Sequence, residues 1–263
     1  MYKTLEIENQ NGIATVWMNR ADMHNAFDEV LIGEMTKACA YLDADPAVRV
    51  VVLAGRGKSF SAGADLNWMK RAANYTVDEN LRDARALAGM MQALASLGKP
   101  TIARVHGAAL GGGMGLASAC DICIASSSAF FATSEVKFGI IPSAIGPHVI
   151  RAIGERQARR YFLSAERITA FRALELGLAH EVVEPGQLDA KVAEIATALL
   201  VGGPLAQRAA KQLIAALANH PVNDELVEET AQRIARLRAG SEAKEGVAAF
   251  LEKRQPNWMK SDV

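Results

Sequence analysis

The sequence predicts an α/β domain followed by a helical region, and three observations support this prediction. The chain has 263 residues, of which 50% are hydrophobic and 22% charged, which is typical of an ordinary globular protein. Through the first half of the chain, short apolar runs typical of buried strands alternate with helical spacing. From about Gly146 onward the spacing is almost wholly helical. Buried strands separated by helices indicate a largely parallel or mixed sheet with helices packed outside it.

The chain opens with a predicted β-hairpin. Two short alternating runs, YKTLEIE and IATVWMN, are joined by Asn11-Gly12, the favoured dipeptide of a tight hairpin turn. The elements predicted next are helical spacing from about Asp28 to Leu42, the buried strand VVVLAG (50–55), a long amphipathic helix near 78–97, the strand TIARVHG (101–107), the loop LGGG, a helix from Gly113 and a strand around DICIA.

The second half of the chain contains one strand-like break, HEVV (180–183). Gly202, Gly203 and Pro204 predict that one helix stops and another starts, with proline at the helix start. The last 60 or so residues predict two or three helices with a broad apolar face, which must cover either the core of this chain or a neighbouring subunit. We therefore predict a core over 1–200 and a helical region over 201–263.

Charge and apolar content indicate a small-molecule partner. Lys plus Arg and Asp plus Glu both number 29, so the net charge gives no attraction to nucleic acid or to an anionic membrane. No run of about 18 apolar residues occurs, and the N-terminal stretch lacks the apolar core of a signal peptide. We expect a cytoplasmic protein that binds neither nucleic acid nor membrane.

The cysteines predict no metal or redox site. Cys120 and Cys123 form a C-x-x-C in a strand-like stretch, where residues three apart point to opposite faces, and no second Cys/His pair lies near them in sequence. We expect buried structural thiols.

The first candidate for chemistry is the loop FSAGADLNWM (60–69), which follows the strand VVVLAG. Small side chains let a ligand approach the backbone, so the N–H of Ala64 is a candidate donor to a ligand oxygen. The alternative is a tight strand-to-helix turn without a functional role.

The second candidate is HGAALGGGMGLA (106–117), with three consecutive glycines between a strand and a helix. A helix N-terminus presents unpaired N–H donors and positive partial charge, so Gly112 or Gly113 can bind an oxyanion or a phosphate. A dinucleotide loop is the alternative, since Glu135 follows Gly115 at about the distance of a ribose-binding acid. The third glycine of the dinucleotide pattern G-x-G-x-x-G is missing whether the count begins at Gly111 or at Gly113. No Gly-Lys-Ser/Thr follows, so the P-loop pattern for phosphate binding is missing as well.

The third candidate is Glu135, whose sequence neighbours are mostly apolar. Apolar surroundings disfavour the charged form of a carboxyl group and raise its pKa toward the range of a proton donor or acceptor. The alternative is an exposed glutamate at a helix start. The neighbours expected to bury it are Phe130, Phe131, Val136, Phe138, Ile140 and Ile141.

Other polar residues are predicted to have structural roles. His106 and His148 have no Ser or Cys partner in a recognisable nucleophile motif, so we interpret them as structural or pocket-lining. Asp121, at a strand start, is expected to cap nearby backbone N–H groups.

Taken together and in this order, these segments resemble the enoyl-CoA hydratase/isomerase (crotonase) superfamily. The resemblance implies a spiral of ββα units with a C-terminal helical region that packs into trimers, often paired into hexamers. It covers nearly the whole chain, through NRADMHNAF (19–27), FSAGADL, KPTIARVHGAALGGG, CDICIA, SEVKFGIIPSAIGP, ALELGLAHEVV (173–183) and FLEKRQP (250–256).

The resemblance also implies the roles of individual residues. The backbone N–H groups of Ala64 and Gly112 are expected to form an oxyanion hole for a thioester carbonyl, with Glu135 as the proton-transfer group. No cofactor is expected, because coenzyme A is part of the substrate. The substrate-binding residues implied are Gly63, Asp65, Leu66, Gly111, Gly115, Pro142 and, toward the coenzyme A of a neighbouring subunit, Phe250 and Lys253.

One position departs from the hydratase pattern. Hydratases of this family usually carry a second glutamate where this chain has Gly115, whereas isomerases typically keep only the glutamate at the Glu135 position. That motif favours isomerisation, but the run 134–170 resembles the bacterial methylglutaconyl-CoA and isohexenylglutaconyl-CoA hydratase branch, some members of which also have glycine here. We therefore expect hydration of a branched acyl group with a distal carboxylate.

Two alternatives to the hydratase stay open. One is an enoyl-CoA isomerase that uses a single glutamate. The other is an RNA-binding or scaffold relative without activity, against which the neutral charge and the lack of a basic stripe with interleaved aromatics argue.

Overall fold

The computed structural model describes residues 2–218 and 220–259, and within these residues nine strands and eleven α-helices form. The strands are β1 (Leu5–Gln10), β2 (Ile13–Met18), β3 (Val50–Gly55), β4 (Thr101–Val105), β5 (Ala108–Leu110), β6 (Ile122–Ser126), β7 (Phe130–Ala132), β8 (Ile168–Thr169) and β9 (Glu181–Val183). The helices are α1 (Glu29–Ala44), α2 (Leu66–Ala72), α3 (Val77–Ala95), α4 (Gly112–Ala119), α5 (Gly146–Ile153), α6 (Glu155–Ser164), α7 (Ala170–Glu175), α8 (Leu188–Leu200), α9 (Pro204–Leu217), α10 (Asp224–Ala239) and α11 (Ser241–Leu251).

The predicted hairpin forms one edge of the main sheet. Asn11 and Gly12 have φ of +52° and +81°, as a two-residue hairpin turn with a primed conformation requires. The order of the main sheet is β1-β2-β3-β4-β6-β9, in which β1 is antiparallel to β2 and the other neighbours are parallel. The prediction of a largely parallel or mixed sheet is confirmed.

A second, smaller sheet was not predicted as such from the residues. It has the order β5-β7-β8, and its strands are only two or three residues long. Ser61 extends it, because Ser61 pairs in parallel with Ala109 of β5. The chain therefore repeatedly passes from a strand of the main sheet, through a bend, to a short pairing in the small sheet and then into a helix. This is the spiral of ββα units that the resemblance implied.

Consecutive turns of the spiral stack closely at these bends. Gly107, between β4 and β5, has φ of +57°, and a Cβ atom added to it would lie 2.2 Å from the carbonyl oxygen of Lys58. Only glycine fits such a contact. The stacking brings the loop after β3, which leads into FSAGADL, against the loop after β4, which leads into the glycine-rich HGAALGGG.

The core lies on both faces of the main sheet. The larger cluster packs the sheet against helices that include α1, α3, α4 and α5, and the smaller cluster packs its other face against α8. Every residue of β3 is buried, as the continuous apolar run predicted.

The C-terminal helices have little buried surface of their own. The predicted stop and restart is confirmed, because α8 ends at Leu200 and α9 begins at Pro204. Among the described residues, α9 and α10 contain no buried residue and α11 contains only Ala249. Their apolar face is therefore largely uncovered in a single chain.

The two cysteines of the C-x-x-C do not share a strand. Cys120 caps the end of α4 and Cys123 lies in β6, so the prediction that both belong to one strand-like stretch is wrong. Both thiols are free and buried, and burial raises the pKa of Cys123 to about 12. Within the described part of the chain, no group of three or more His, Cys, Asp or Glu is arranged to hold a metal ion. Nor does any helix of that part have the length and apolar character needed to cross a bilayer.

Candidate active site

The loop after β3 presents the backbone N–H of Ala64. Phe27 donates its N–H to the carbonyl of Gly63 at 2.6 Å and accepts from the N–H of Asp65 at 2.8 Å, which makes a parallel bridge with Ala64. In this pattern the residue between the two bonds points its own N–H away from the partner segment. The N–H of Ala64 has no hydrogen-bond partner among the described residues, so it is available to a ligand.

A half-buried arginine fixes the residue after Ala64. Asp65 is the N-cap of α2 and accepts from the N–H groups of Asn67 at 2.8 Å and Trp68 at 3.1 Å. Its other oxygen pairs with Arg20 at 3.0 Å, and Arg20 also pairs at 3.0 Å with Asp28, the N-cap of α1. Burial acts to raise the pKa of Asp65, but the hydrogen bonds from Trp68, Arg20 and Asn67 outweigh it and hold that pKa below its usual range. One guanidinium thus holds two helix N-termini beside the Ala64 loop.

The turn after β5 presents the N–H of Gly112. Gly111, with φ of +48°, donates to the carbonyl of Ala132 at 2.8 Å and is the N-cap of α4, so Gly112 is the first helical residue. The N–H of a first helical residue has no intrahelical acceptor, and none is found for Gly112 among the described residues. A Cβ atom added to Gly112 would lie 2.3 Å from Cε2 of Phe27, so the Phe27 ring packs directly on this backbone.

The two loops touch each other. A Cβ atom added to Gly63, which has φ of +88°, would lie 2.8 Å from the carbonyl oxygen of Leu110 and 3.8 Å from Cα of Gly111. Ala64 and Gly112 are the next residues along the two segments. The fold therefore places two unpartnered N–H donors at one junction, beside the positive end of the α4 dipole.

Glu135 lies at this junction as well. It is the first residue of a 3₁₀ helix, Glu135–Phe138, which begins shortly after β7. Its Oε1 atom lies 2.9 Å from the position that a Cβ atom on Gly111 would occupy. Its Oε2 atom is buried and has no hydrogen-bond partner among the described residues. Burial raises the pKa of Glu135, which a hydrogen bond from its own N–H only partly opposes.

The residues that bury Glu135 differ in part from those predicted. Phe131 is fully buried, but Phe138, Ile140 and Ile141 are 60%, 52% and 71% exposed, so the prediction that they bury the carboxyl group is wrong. Gly139, with φ of +72°, ends the 3₁₀ helix and redirects the chain. The Glu135 carboxyl group instead packs against the Gly111 backbone.

Gly115 lies one turn deeper in α4 than Gly111. Its N–H donates to the carbonyl of Gly111 at 3.0 Å. A Cβ atom added to Gly115 would lie 2.3 Å from Cγ2 and 2.7 Å from Cβ of Ile145, and 3.2 Å from Cε of Met91. Sequence reasoning identified Gly115 but not the two side chains that cover it.

The other predicted substrate-binding residues lie in two different places. Leu66 is an exposed residue at the start of α2, next to Asp65, and Pro142 is buried between the 3₁₀ helix and α5. Phe250, which is 82% exposed, lies in the last turn of α11, and Lys253 follows the end of that helix. The main packing neighbours of α11 are α9 and α10. A single chain therefore gathers the predicted residues of the two loops and Glu135, and leaves Phe250 and Lys253 on the helical region.

The remaining polar residues have the structural contacts that we predicted. Asp121 accepts from the N–H of Thr101 at 2.8 Å and pairs with Lys211 at 2.6 Å. His106 is within 2.9 Å of the carbonyl oxygen of Gly57, and His148 is buried and lines a cavity on another side of α4 and α5.

The chain is similar to known proteins over almost its whole length. Residues 8–261 match the sequence profile described as enoyl-CoA hydratase/isomerase. A crystal structure of an enoyl-CoA hydratase from Shewanella pealeana is similar with a TM-score of 0.95 and 43% identity, covering 97% of this chain and 96% of that chain. The chain is 35% identical to the crotonyl-CoA hydratase of Syntrophomonas wolfei, over 98% of both proteins. It is 33% identical to the 2,3-dehydroadipyl-CoA hydratase of Escherichia coli, over 97% of this chain and 98% of that protein. The profile match over almost the whole length shows that this chain belongs to the enoyl-CoA hydratase/isomerase (crotonase) family.

Proposed function

We propose that the protein is an enoyl-CoA hydratase, which adds water across the 2,3 double bond of an acyl-CoA thioester. One observation carries the proposal: the unpartnered N–H groups of Ala64 and Gly112 meet beside the buried carboxyl group of Glu135. The names of the Syntrophomonas and Escherichia relatives, both hydratases of enoyl-CoA esters, support the same reaction.

The two N–H groups act on the thioester carbonyl. When a nucleophile adds to carbon 3, negative charge moves onto the carbonyl oxygen, and donors already aimed at that oxygen stabilise the charge without reorganisation. Removing one such donor costs about 3 kcal/mol of transition-state stabilisation in other enzymes. The N-terminus of α4 adds positive potential at the same place.

Glu135 moves the protons. As a carboxylate it takes one proton from water while the oxygen bonds to carbon 3, and as a carboxylic acid it returns that proton to carbon 2. The net reaction adds one water molecule and leaves Glu135 in its starting state. The raised pKa of Glu135 suits both roles, because a group works best as both acid and base when its pKa is near the operating pH.

The substrate we propose is a branched enoyl-CoA with a distal carboxylate, similar to methylglutaconyl-CoA. The similarity of residues 134–170 to that hydratase branch supports it. The Escherichia relative adds support, because a 2,3-dehydroadipyl group also ends in a carboxylate.

One observation favours a second candidate, an enoyl-CoA isomerase. Gly115 contributes no carboxyl group, and Ile145 fills the space beside it, so Glu135 receives no second carboxyl group from this position of α4. In an isomerase Glu135 would carry a proton between carbons 2 and 4, and no water would be consumed.

Incubation with a panel of unsaturated acyl-CoA esters in oxygen-18 water tests the proposal. A hydratase gives a hydroxyacyl-CoA that contains one oxygen-18 atom, and an isomerase gives a rearranged enoyl-CoA without it. The panel should include branched esters with and without a distal carboxylate. A shifted double bond without oxygen-18 uptake would overturn the hydratase proposal in favour of the isomerase, and no reaction with any ester would overturn both.

We also propose a homotrimer, or a dimer of trimers, that acts in the cytoplasm and is assembled through residues 201–263. The uncovered apolar face of α9 to α11 supports this assembly, and the exposed Phe250 and nearby Lys253 would then approach coenzyme A in a neighbouring subunit. Light scattering after size-exclusion chromatography should give the mass of a trimer or hexamer. A monomer at micromolar concentration would contradict the proposal.

A further inference from the structure

The first two turns of α4 present one face to the proton-transfer group. Gly111 and Gly115 are four residues apart, and the hydrogen bond from Gly115 to Gly111 places them on the same face, one turn apart. The Glu135 carboxyl group packs on Gly111, and the Ile145 side chain packs on Gly115. Glu135 and Ile145 therefore occupy consecutive places along this face.

The space over Gly115 is tightly filled by the side chains of Ile145 and Met91. Ile145 is 2% exposed and Met91 is fully buried. The contact to a Cβ atom at position 115 involves Cβ of Ile145 as well as Cγ2, at 2.7 and 2.3 Å. Because the Cβ atom is fixed to the backbone, no rotation of the Ile145 side chain removes the contact. A side chain at position 115 requires that Ile145 be made smaller.

We infer that Ile145 is a specificity-determining residue. Its side chain fills the space over Gly115, one helical turn from the Gly111 position that Glu135 contacts, so a second proton-transfer group does not fit there and hydration depends on one carboxyl group. The inference rests on the proposed reaction. Water addition needs one proton removed at the attacking oxygen and one delivered to carbon 2, whereas movement of a double bond needs one group that serves two carbons of the same chain. An apolar side chain next to Glu135 therefore restrains the first reaction more than the second.

A smaller residue at position 145 would leave room for a glutamate at position 115. Side chains four residues apart on a helix have Cβ atoms about 5–6 Å apart. The Oε1 atom of Glu135 lies 2.9 Å from the position that a Cβ atom on Gly111 would occupy. A glutamate at position 115, one turn along the same face, would therefore hold its carboxyl group near that of Glu135. Two neighbouring carboxyl groups cannot both ionise freely, so one holds a proton and the other does not. Such a pair divides the roles of acid and base that Glu135 performs alone.

A set of four variants tests the inference: Ile145→Gly, Gly115→Glu, the double variant Ile145→Gly/Gly115→Glu, and the matched control Ile145→Gly/Gly115→Gln. Hydration is measured as oxygen-18 incorporation into the best substrate of the panel. We expect the double variant to hydrate at least about tenfold faster than the glutamine control, which has the same shape without the carboxyl group. Equal rates for these two proteins would overturn the inference.

A stability measurement keeps the inference testable if the glutamate variants are inactive. Gly115→Ala is compared in the Ile145 background and in the Ile145→Gly background by urea unfolding. We expect a clear loss of stability beside Ile145 and little or none beside glycine, and equal losses would overturn the claim that Ile145 closes this place. A wild-type protein that neither hydrates nor isomerises would instead contradict the proposed function, while this stability comparison would still report on Ile145.

Discussion

Replacing Glu135 by glutamine should abolish turnover and, at neutral or higher pH, stabilise the fold. The carboxyl group has a buried oxygen without a hydrogen-bond partner among the described residues, and burial raises its pKa above the ordinary value of 4.5. The protein therefore carries the cost of holding a charged group in a site that favours the neutral form. Glutamine has nearly the same shape and no charge.

The size of the gain follows from the missing partner. A buried polar group without a hydrogen bond costs about 1–3 kcal/mol, and a glutamine amide would recover part of this, so we expect the unfolding free energy to rise by about 1 kcal/mol at pH 8. The native state binds the proton more tightly than the unfolded state, so wild-type stability falls as pH rises from about 4.5 through the raised native pKa. Below that window Glu135 is protonated in both states, and the two proteins should have similar stability.

The assay is urea unfolding of Glu135→Gln and wild type at pH 4 and pH 8, with kcat measured at the pH optimum. Glu181→Gln serves as the control, because Glu181 is exposed, and it should change neither quantity. The reasoning is refuted if Glu135→Gln is less stable than wild type at pH 8, or if the difference is the same at both pH values. Retention of more than about a tenth of kcat, which is about 1.4 kcal/mol of barrier, would reject the role of Glu135 in proton transfer.

Three further predictions concern the ion pair at Asp65, the junction of the two loops and the N-cap of α3. Arg20→Met leaves the buried Asp65 without its ion-pair partner, so we expect the unfolding free energy measured in urea to fall by about 3 kcal/mol. We also expect kcat to fall by a larger factor than KM rises, with partial rescue by Arg20→Lys. An unchanged kcat would contradict a positioning role for Arg20. Gly63→Ala adds a Cβ atom 2.8 Å from the Leu110 carbonyl at a positive φ, and steady-state kinetics should show kcat/KM reduced by about a hundredfold, whereas a wild-type value would mean that the junction tolerates displacement. Thr76→Ala removes the capping box of α3, which should lower the unfolding free energy by about 1 kcal/mol with kcat unaffected; no change in stability would show that the cap contributes nothing.

Much of the fold was predictable because its signals are local. The Asn11-Gly12 turn, the helix capped by Asp28 and the buried strand β3 each follow from patterns within one segment. The small sheet was not predictable in the same way, because β5, β7 and β8 have two or three residues each and are stabilised by pairing with distant segments. Such strands have too few residues to show a periodicity.

The candidate site was also predictable only where its signals are local. Ala64 and Gly112 lie in loops of small residues that the sequence identifies as candidate ligand sites, and Glu135 stands out as a carboxylate among apolar residues. The burial of Glu135 was predicted from its sequence neighbours, but Gly139 turns several of them outward, and the Gly111 backbone contacts the carboxyl group instead. Arg20 and Ile145 carry no local signal, because each acts through residues far along the chain.

A crystal structure of Glu135→Gln with a bound unsaturated acyl-CoA tests the central claim most directly. The claim is that two main-chain amides hold the thioester oxygen while one carboxyl side chain faces the reacting carbons. We expect the thioester oxygen within about 2.7–3.1 Å of the nitrogen atoms of both Ala64 and Gly112, with the glutamine side-chain amide introduced at position 135 against carbon 2. A thioester oxygen bound elsewhere, or a side chain at position 135 turned away from the acyl group, would contradict it.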